Sequence, residues 1–244
     1  MLKARTIFTL PERVLDPELM DEPGLAESDH FAALTGLGRI NLLSLASLGF
    51  RRPLLEMARG HKPERPLRVL DVACGGGGTS IWVARLARRA NAAIEVTGLD
   101  ISAQALRFAA REAESKRVKV IWMQRDVLAN GLPEGFDVIL CSLFLHHLTE
   151  AQATALLGEM FKRARRGVLV NDLVRSKAGL WLARLVPPIV SRSYVVHVDA
   201  VLSARSAFTM QEIRQMANAV GMHTAQLGRR WPERFMLDWR RSTE

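Results

Sequence analysis

Arg68-Val69-Leu70-Asp71-Val72-Ala73-Cys74-Gly75-Gly76-Gly77-Gly78 runs from an apolar, strand-like segment through a carboxylate into four consecutive glycines, and a helical pattern begins at Thr79. A strand that ends in a glycine turn and feeds a helix is the entry to a nucleotide-type site. Without Cβ atoms the turn backbone can touch a ligand and take positive φ where its path requires it. Two ligand chemistries compete for such a turn. Ala73-x-Gly75-x-x-Gly78 reads as a dinucleotide fingerprint whose first glycine is replaced by alanine. A dinucleotide sets its pyrophosphate against the helix N-terminus, where the dipole favours an anion and a neighbouring carboxylate such as Asp71 repels it. A nucleoside that carries a sulfonium and an α-ammonium group instead of phosphates is attracted by the same carboxylate. The turn therefore favours S-adenosylmethionine over a nicotinamide dinucleotide.

The segments around the turn alternate between strand and helix patterns, which predicts an α/β domain with a parallel sheet covered on both faces. Strands are expected at Leu67–Val72, Ile94–Leu99, Val118–Met123, Phe136–Cys141 and Gly167–Asp172, with helices at Thr79–Arg89 and Ser102–Lys116. Another helix opens at Thr149 with a capping box to Gln152, and Thr209 to Glu212 repeats that device before Gly221, which suits a left-handed helix end. Residues Val174–Ser206 break the alternation: Trp181, Leu182, Leu185 and Val186 make an apolar helical stripe that Pro187-Pro188 ends. This reads as a helical lid insertion. Two last strands, around His223–Leu227 and Phe235–Trp239, join through Pro232 as an antiparallel hairpin. Before Pro66 there is no strand signal. Leu34, Leu37, Ile40, Asn41 and Leu45 recur at near-helical spacing after Ser28 or Asp29 as cap, so residues 1–65 form a helical cap on a domain of residues 66–244.

Composition narrows the partners. The net charge of +9 is carried mostly by arginine and dispersed, which fits solvated helix faces better than a nucleic-acid patch. Arg229-Arg230-Trp231-Pro232-Glu233-Arg234-Phe235 interleaves basic and aromatic residues, yet the period-two spacing of Phe235, Leu237 and Trp239 marks a core-facing strand. Cys74 and Cys141 have neither metal-ligand spacing nor a disulfide framework, so a reducing cytoplasm is expected and no metal is assigned. Met1 to Leu15 holds no continuous apolar run, and no stretch approaches the roughly twenty apolar residues of a membrane span.

From Leu67 to Arg240 the chain resembles the class I S-adenosylmethionine-dependent methyltransferases, most strongly through Val69-Leu70-Asp71-Val72-Ala73-Cys74-Gly75-Gly76-Gly77, which departs from the family's Asp-x-Gly-x-Gly-x-Gly at Ala73. The resemblance implies a Rossmann-like seven-stranded sheet, with five parallel strands ordered 3-2-1-4-5 and the C-terminal hairpin. It also implies a cofactor contacted by Asp71, Ala73, Cys74, Gly75 and Gly77. Asp100 closes the second strand where an acidic residue holds ribose hydroxyls, although it could simply start the following helix. Ile101 would flank the adenine. Asp126 stands where the family meets the adenine amino group, with Val127 beside it, or else it is an ordinary loop aspartate. Cys74 and Cys141 would lie at the ends of adjacent strands and pack beside the cofactor as small apolar residues.

The fourth strand leads into Cys141-Ser142-Leu143-Phe144-Leu145-His146-His147-Leu148, the rim that faces the methyl donor. Nucleic-acid amino methyltransferases carry Asn/Asp-Pro-Pro-Tyr/Phe here, and its absence disfavours base methylation. His146 or His147 could act as general base on a phenolic hydroxyl, or merely satisfy the loop backbone. Neighbours leaving a strand should point apart, so one of the two is expected to face the acceptor. Asp172 either positions substrate or caps the segment that follows. Trp181, Leu185, Ile189 and Tyr194 of the lid are expected to line a pocket with the N-terminal cap for a flat or lipid-like acceptor, unless the stripe only docks a helix or a homodimer. Pro11-Glu12-Arg13, Arg39-Ile40-Asn41 and the rim histidines resemble quinone- and polyketide-modifying members. The expectation is O- or C-methylation of a small acceptor in secondary metabolism. Its rivals are an RNA or protein methyltransferase, a nicotinamide-dependent oxidoreductase, and a noncatalytic S-adenosylmethionine-binding protein.

Overall fold

The computed structural model describes residues 12–21, 24, 26–43 and 46–242. Strands β1 (Leu67–Val72), β2 (Ile94–Asp100), β3 (Ile121–Gln124), β4 (Val138–Ser142), β5 (Gly167–Leu173), β6 (Gln226–Arg230) and β7 (Arg234–Arg240) form one sheet in the order β3-β2-β1-β4-β5-β7-β6. The first five are parallel, and β7 runs antiparallel between β5 and β6. The helices are α1 (Glu27–Leu43), α2 (Arg51–Met57), α3 (Gly78–Ala90), α4 (Ala103–Ser115), α5 (Val127–Asn130), α6 (Glu150–Arg163), α7 (Lys177–Leu185), α8 (Pro187–Val190), α9 (Tyr194–Ser206) and α10 (Met210–Ala219).

The central strands are near-continuous apolar runs because both of their faces are covered. On one face Leu70, Val72, Ile139, Val168, Val170, Phe235 and Leu237 pack with Leu157 of α6 and Ile213 of α10. On the other, Val69, Leu140, Leu169 and Met236 pack with Phe50, Leu54 of α2 and Val83 of α3. Both expected capping boxes form, Thr149 with Gln152 and Thr209 with Glu212, and Gly221 takes φ 96°. A third cluster joins Ala33 of α1 to Val195 and Val196 of α9, while Asp199 accepts from the backbone of Leu19 and Met20. The N-terminal segment thus rests on the insertion.

β4 runs from Val138 to Ser142 instead of Phe136 to Cys141, and three other boundaries differ from the sequence expectation for a backbone reason. The N–H of Val118 closes the end of α4 on Ala113, so β3 starts only at Ile121. Residues Met222 and Ala225 are used in the turn after α10, so β6 begins at Gln226 rather than near His223. The carbonyl of Ala26 accepts from both Asp29 and His30, which starts α1 before the expected cap at Ser28 or Asp29. Leu45 lies outside the described residues.

Gly77 is the tightest point of the glycine turn: φ is 74°, and an added Cβ would stand 2.6 Å from Trp122 and 2.8 Å from the Ala109 methyl. Overpacking and left-handed strain add, so Gly77→Ala should lower stability by about 2–4 kcal/mol. At Gly75, with φ 51° and open space around the position, only the backbone cost of about 1 kcal/mol applies. Urea unfolding of the two variants checks this; equal losses would show that Trp122 does not wall the turn.

Candidate active site

The turn after β1 takes positive φ at Ala73 (53°), Gly75 (51°) and Gly77 (74°), so the family's first glycine position keeps its left-handed backbone although an alanine fills it. The Gly75 N–H donates to Asp100 Oδ2 at 2.7 Å and the Ser102 N–H to Oδ1 at 2.8 Å. Asp100 therefore ties the glycine turn to the start of α4, whose cap is supplied separately by Ser102. Asp71 is fully enclosed and accepts from Ser80 Oγ at 2.5 Å. Burial pushes its carboxyl up to about 7, against the Ser80 bonds and with help from Asp100. It lies behind the turn, so its charge reaches the opening through the backbone and not by contact.

Ile101 is 62% exposed beside the turn, and its carbonyl accepts from Gln124. Asp126 caps α5, its Oδ1 accepting from Leu128 at 2.8 Å and Ala129 at 3.1 Å, with Val127 half-buried behind it. Cys74 and Cys141 are free thiols at the ends of the adjacent strands β1 and β4. Burial, then the neighbouring Asp71 and Asp100 at Cys74 and Asp172 and Asp71 at Cys141, pushes both thiols well up. They stay protonated and inert.

At the rim the chain leaves β4 through Leu143, at φ 59°, into a short 3₁₀ turn over Leu145–His147. Asp172 organises that turn. Its Oδ2 accepts from the N–H groups of Phe144 (3.1 Å) and His146 (3.4 Å), and its Oδ1 meets His146 Nδ1 at 2.6 Å and the Leu173 N–H at 2.7 Å. Burial alone would raise the Asp172 carboxyl, but His146 and the backbone donor hold it below its ordinary value. A carboxylate only accepts, so His146 Nδ1 carries a hydrogen, and Nε2 is the ring position left to exchange a proton with a substrate.

That Nε2 faces Glu18 Oε1 at 3.7 Å, and His147 Nε2 faces Glu18 Oε2 at 3.8 Å, with the two rings 4.3 Å apart. The expectation that the two histidines diverge is corrected: the 3₁₀ turn replaces strand alternation and brings both to one carboxylate. Glu18 is buried and accepts from Ser203 Oγ of α9. Arg13 braces the turn from outside, its Nη2 donating to the carbonyls of His146 (3.1 Å) and Leu148 (2.6 Å) while it stacks on Phe208. Sequence reasoning missed Glu18 and Ser203. The only signal near Glu18 was the flanking Arg13, because the segment has no periodicity from which its direction could be read. Glu18, His146 and His147 also offer atoms within 4.8 Å of one another, a donor set that suits a divalent cation.

The four lid residues do not converge. Trp181 is 62% and Leu185 58% exposed although α7 packs on α9, and Ile189 of α8 and Tyr194 at the start of α9 are 84% and 72% exposed. Of these, only Ile189 lines the groove between α1 and α8, with Phe31, Thr35 and Arg39. Among the described residues no single helix is long and apolar enough to cross a membrane.

Residues 69–167 match a family model described as a methyltransferase domain. A ubiquinone biosynthesis O-methyltransferase from Albidiferax ferrireducens is 31% identical over 134 residues, 54% of this chain and 49% of that protein. A demethylmenaquinone methyltransferase from Thermus thermophilus is 30% identical over 118 residues, 48% of this chain and 50% of that protein. The chain thus spans about half the length of these relatives. Among solved structures, a Synechocystis magnesium protoporphyrin IX methyltransferase with bound S-adenosylhomocysteine aligns over 91% of each chain at 19% identity and TM-score 0.56. An O-methyltransferase family 2 protein from Planctomyces limnophilus, in complex with apigenin, aligns over 91% of this chain and 63% of its own at 16% identity and TM-score 0.62. The fold is the Rossmann-like fold of class I S-adenosylmethionine-dependent methyltransferases.

Proposed function

We propose that the chain transfers a methyl group from S-adenosylmethionine to a hydroxyl of a small, largely apolar acceptor of phenolic or quinone-like type. The observation that carries this reading is the Asp172–His146 pair, which orients the imidazole Nε2 at the same edge of the sheet as the glycine turn. Relatives named for quinone biosynthesis support the acceptor class. Bound at the turn, the cofactor supplies an electrophilic methyl on a sulfonium. The protein then has to hold the ribose through Asp100, flank the adenine with Ile101 and Asp126, and align the acceptor oxygen for in-line attack. His146 Nε2 takes the hydroxyl proton as the oxygen attacks, and Asp172 stabilises the resulting imidazolium through Nδ1. Glu18, facing both imidazoles, adds a second negative charge. The insertion reaches the rim through α9, whose Ser203 holds Glu18 against the imidazoles.

Calorimetry tests the cofactor assignment. S-adenosylhomocysteine should bind and NAD should not; tight NAD binding would overturn the reading. The pH dependence tests Asp71. Its folded-state carboxyl titrates at about 7, so protons leave as pH rises through that value and a negative charge appears behind the turn. The sulfonium of S-adenosylmethionine responds to that charge and the neutral thioether of the product does not. The ratio of their affinities should therefore rise between pH 6 and 8 by up to about tenfold, the equivalent of one pKa unit. A flat ratio would leave Asp71 as a purely structural partner of Ser80.

A further inference from the structure

Ser142 at the end of β4, Asn171 on β5 and Arg234 at the start of β7 stand side by side on one face of three neighbouring strands. The register pairs Ser142 with Asn171 and Arg234 with Leu173, and alternate residues of a strand share a face. That face also carries Leu140, Leu169 and Met236 and is otherwise apolar. In this row Ser142 Oγ, Asn171 Oδ1 and the Nε and Nη1 of Arg234 are buried and lack a hydrogen-bond partner. Their remaining atoms are anchored: Arg234 Nη2 donates to Asn41 Oδ1 of α1 at 3.0 Å, and Asn171 Nδ2 donates to the Ala46 carbonyl. Arg234 is 4% exposed and forms no ion pair among the described residues.

Asp172 acts on this buried guanidinium only from a distance, its oxygens being committed to His146 and the rim backbone, so Arg234 lacks a contacting carboxylate, which a ligand can supply. Nε and Nη1 each share an edge of the guanidinium with Nη2, which has a second N–H besides the one given to Asn41, so a carboxylate can pair along either edge. Asn171 Oδ1 and Ser142 Oγ add acceptors beside it, suited to a hydroxyl next to that carboxylate. Arg234 stands three strand positions from β1, about 14 Å at the usual spacing, whereas the glycine turn and Asp100 lie on β1 and β2. The donor nucleoside belongs at one side of the rim and this row at the other.

We propose that Arg234, Asn171 and Ser142 form a subsite for a carboxylate carried by the methyl acceptor, so that the enzyme takes hydroxy acids of aromatic or polyketide type. This rests on the methyltransferase reading above. It narrows the acceptor from apolar to apolar with one anchored anion.

The test titrates benzoate and benzamide against the protein saturated with S-adenosylhomocysteine. Benzoate should bind at least about tenfold more tightly than benzamide, and Arg234→Met should remove the difference. Because Arg234→Met leaves a buried hole, Asn171→Asp is the second variant: it supplies a carboxylate internally on the same face as Arg234. It should raise the melting temperature while abolishing benzoate binding, a combination that misfolding cannot produce. No preference for benzoate in the parent, or unchanged benzoate affinity in Asn171→Asp, overturns the subsite. If Arg234→Met instead weakens S-adenosylhomocysteine and leaves 5′-methylthioadenosine unaffected, the carboxylate is the cofactor's own and the acceptor assignment fails. Loss of S-adenosylhomocysteine binding by the parent would sink the broader reading, so the two failures are told apart.

Discussion

His146→Gln lowers turnover by about 10²–10⁴-fold while affinity for S-adenosylhomocysteine stays at the parental value. The magnitude follows from removal of a positioned base whose ring Asp172 fixes through a 2.6 Å contact. Affinity is retained because the glycine turn and Asp100 sit across the rim on β1 and β2. His147→Gln should cost less than about tenfold, since the ring that Asp172 fixes at 2.6 Å, and to which the base role is assigned, is that of His146. Equal losses in the two variants point to the other chemistry this cluster allows, a divalent cation held by Glu18 and both imidazoles. Dialysis against a chelator separates the cases: turnover persists for a base and disappears for a bound cation. Parental rates in both variants would leave proximity alone as the source of catalysis.

The fold was legible where the sequence carries its own physics. Runs such as Leu67–Val72 and Gly167–Leu173 are apolar on both faces because each strand is buried between helices, and the glycines after β1 mark the crossing of chain and ligand. The two capping boxes and the left-handed Gly221 are local devices, so they form where the sequence places them. Edges were harder: β3 and β6 have only one neighbour each, and turn hydrogen bonds decide where they begin. The site divides in the same way. Asp71, Asp100 and Asp126 were singled out from their positions at or near strand ends, but which oxygen meets which backbone group depends on the folded turn. Glu18 was not readable, because it reaches His146 across 128 residues of chain and only packing on α9 brings it there. The lid stripe was visible as apolar, but its exposure reverses the expectation that it closes a pocket.

Asp100→Ala weakens S-adenosylhomocysteine by about 2–3 kcal/mol, the loss expected for charge-assisted hydrogen bonds to two ribose hydroxyls together with a less ordered glycine turn. In the folded chain the carboxylate accepts from Gly75 and Ser102 through different oxygens, and a carboxylate oxygen can accept more than one hydrogen bond. A purely structural Asp100 would behave differently. Ser102 caps α4 by itself, accepting from Ala105 at 3.1 Å, so removing Asp100 should cost only about 1 kcal/mol of stability. Asp126→Ala makes the comparison: its Oδ1 is committed to the cap of α5, and its loss should weaken cofactor binding by no more than about 1 kcal/mol. Calorimetry and urea unfolding of both variants give four numbers. If Asp100→Ala loses stability with affinity unchanged, the carboxylate only pins the turn to α4 and the ribose assignment is wrong. If affinity falls by the larger amount and stability by the smaller, Asp100 is the residue through which the glycine turn and the nucleoside are held together.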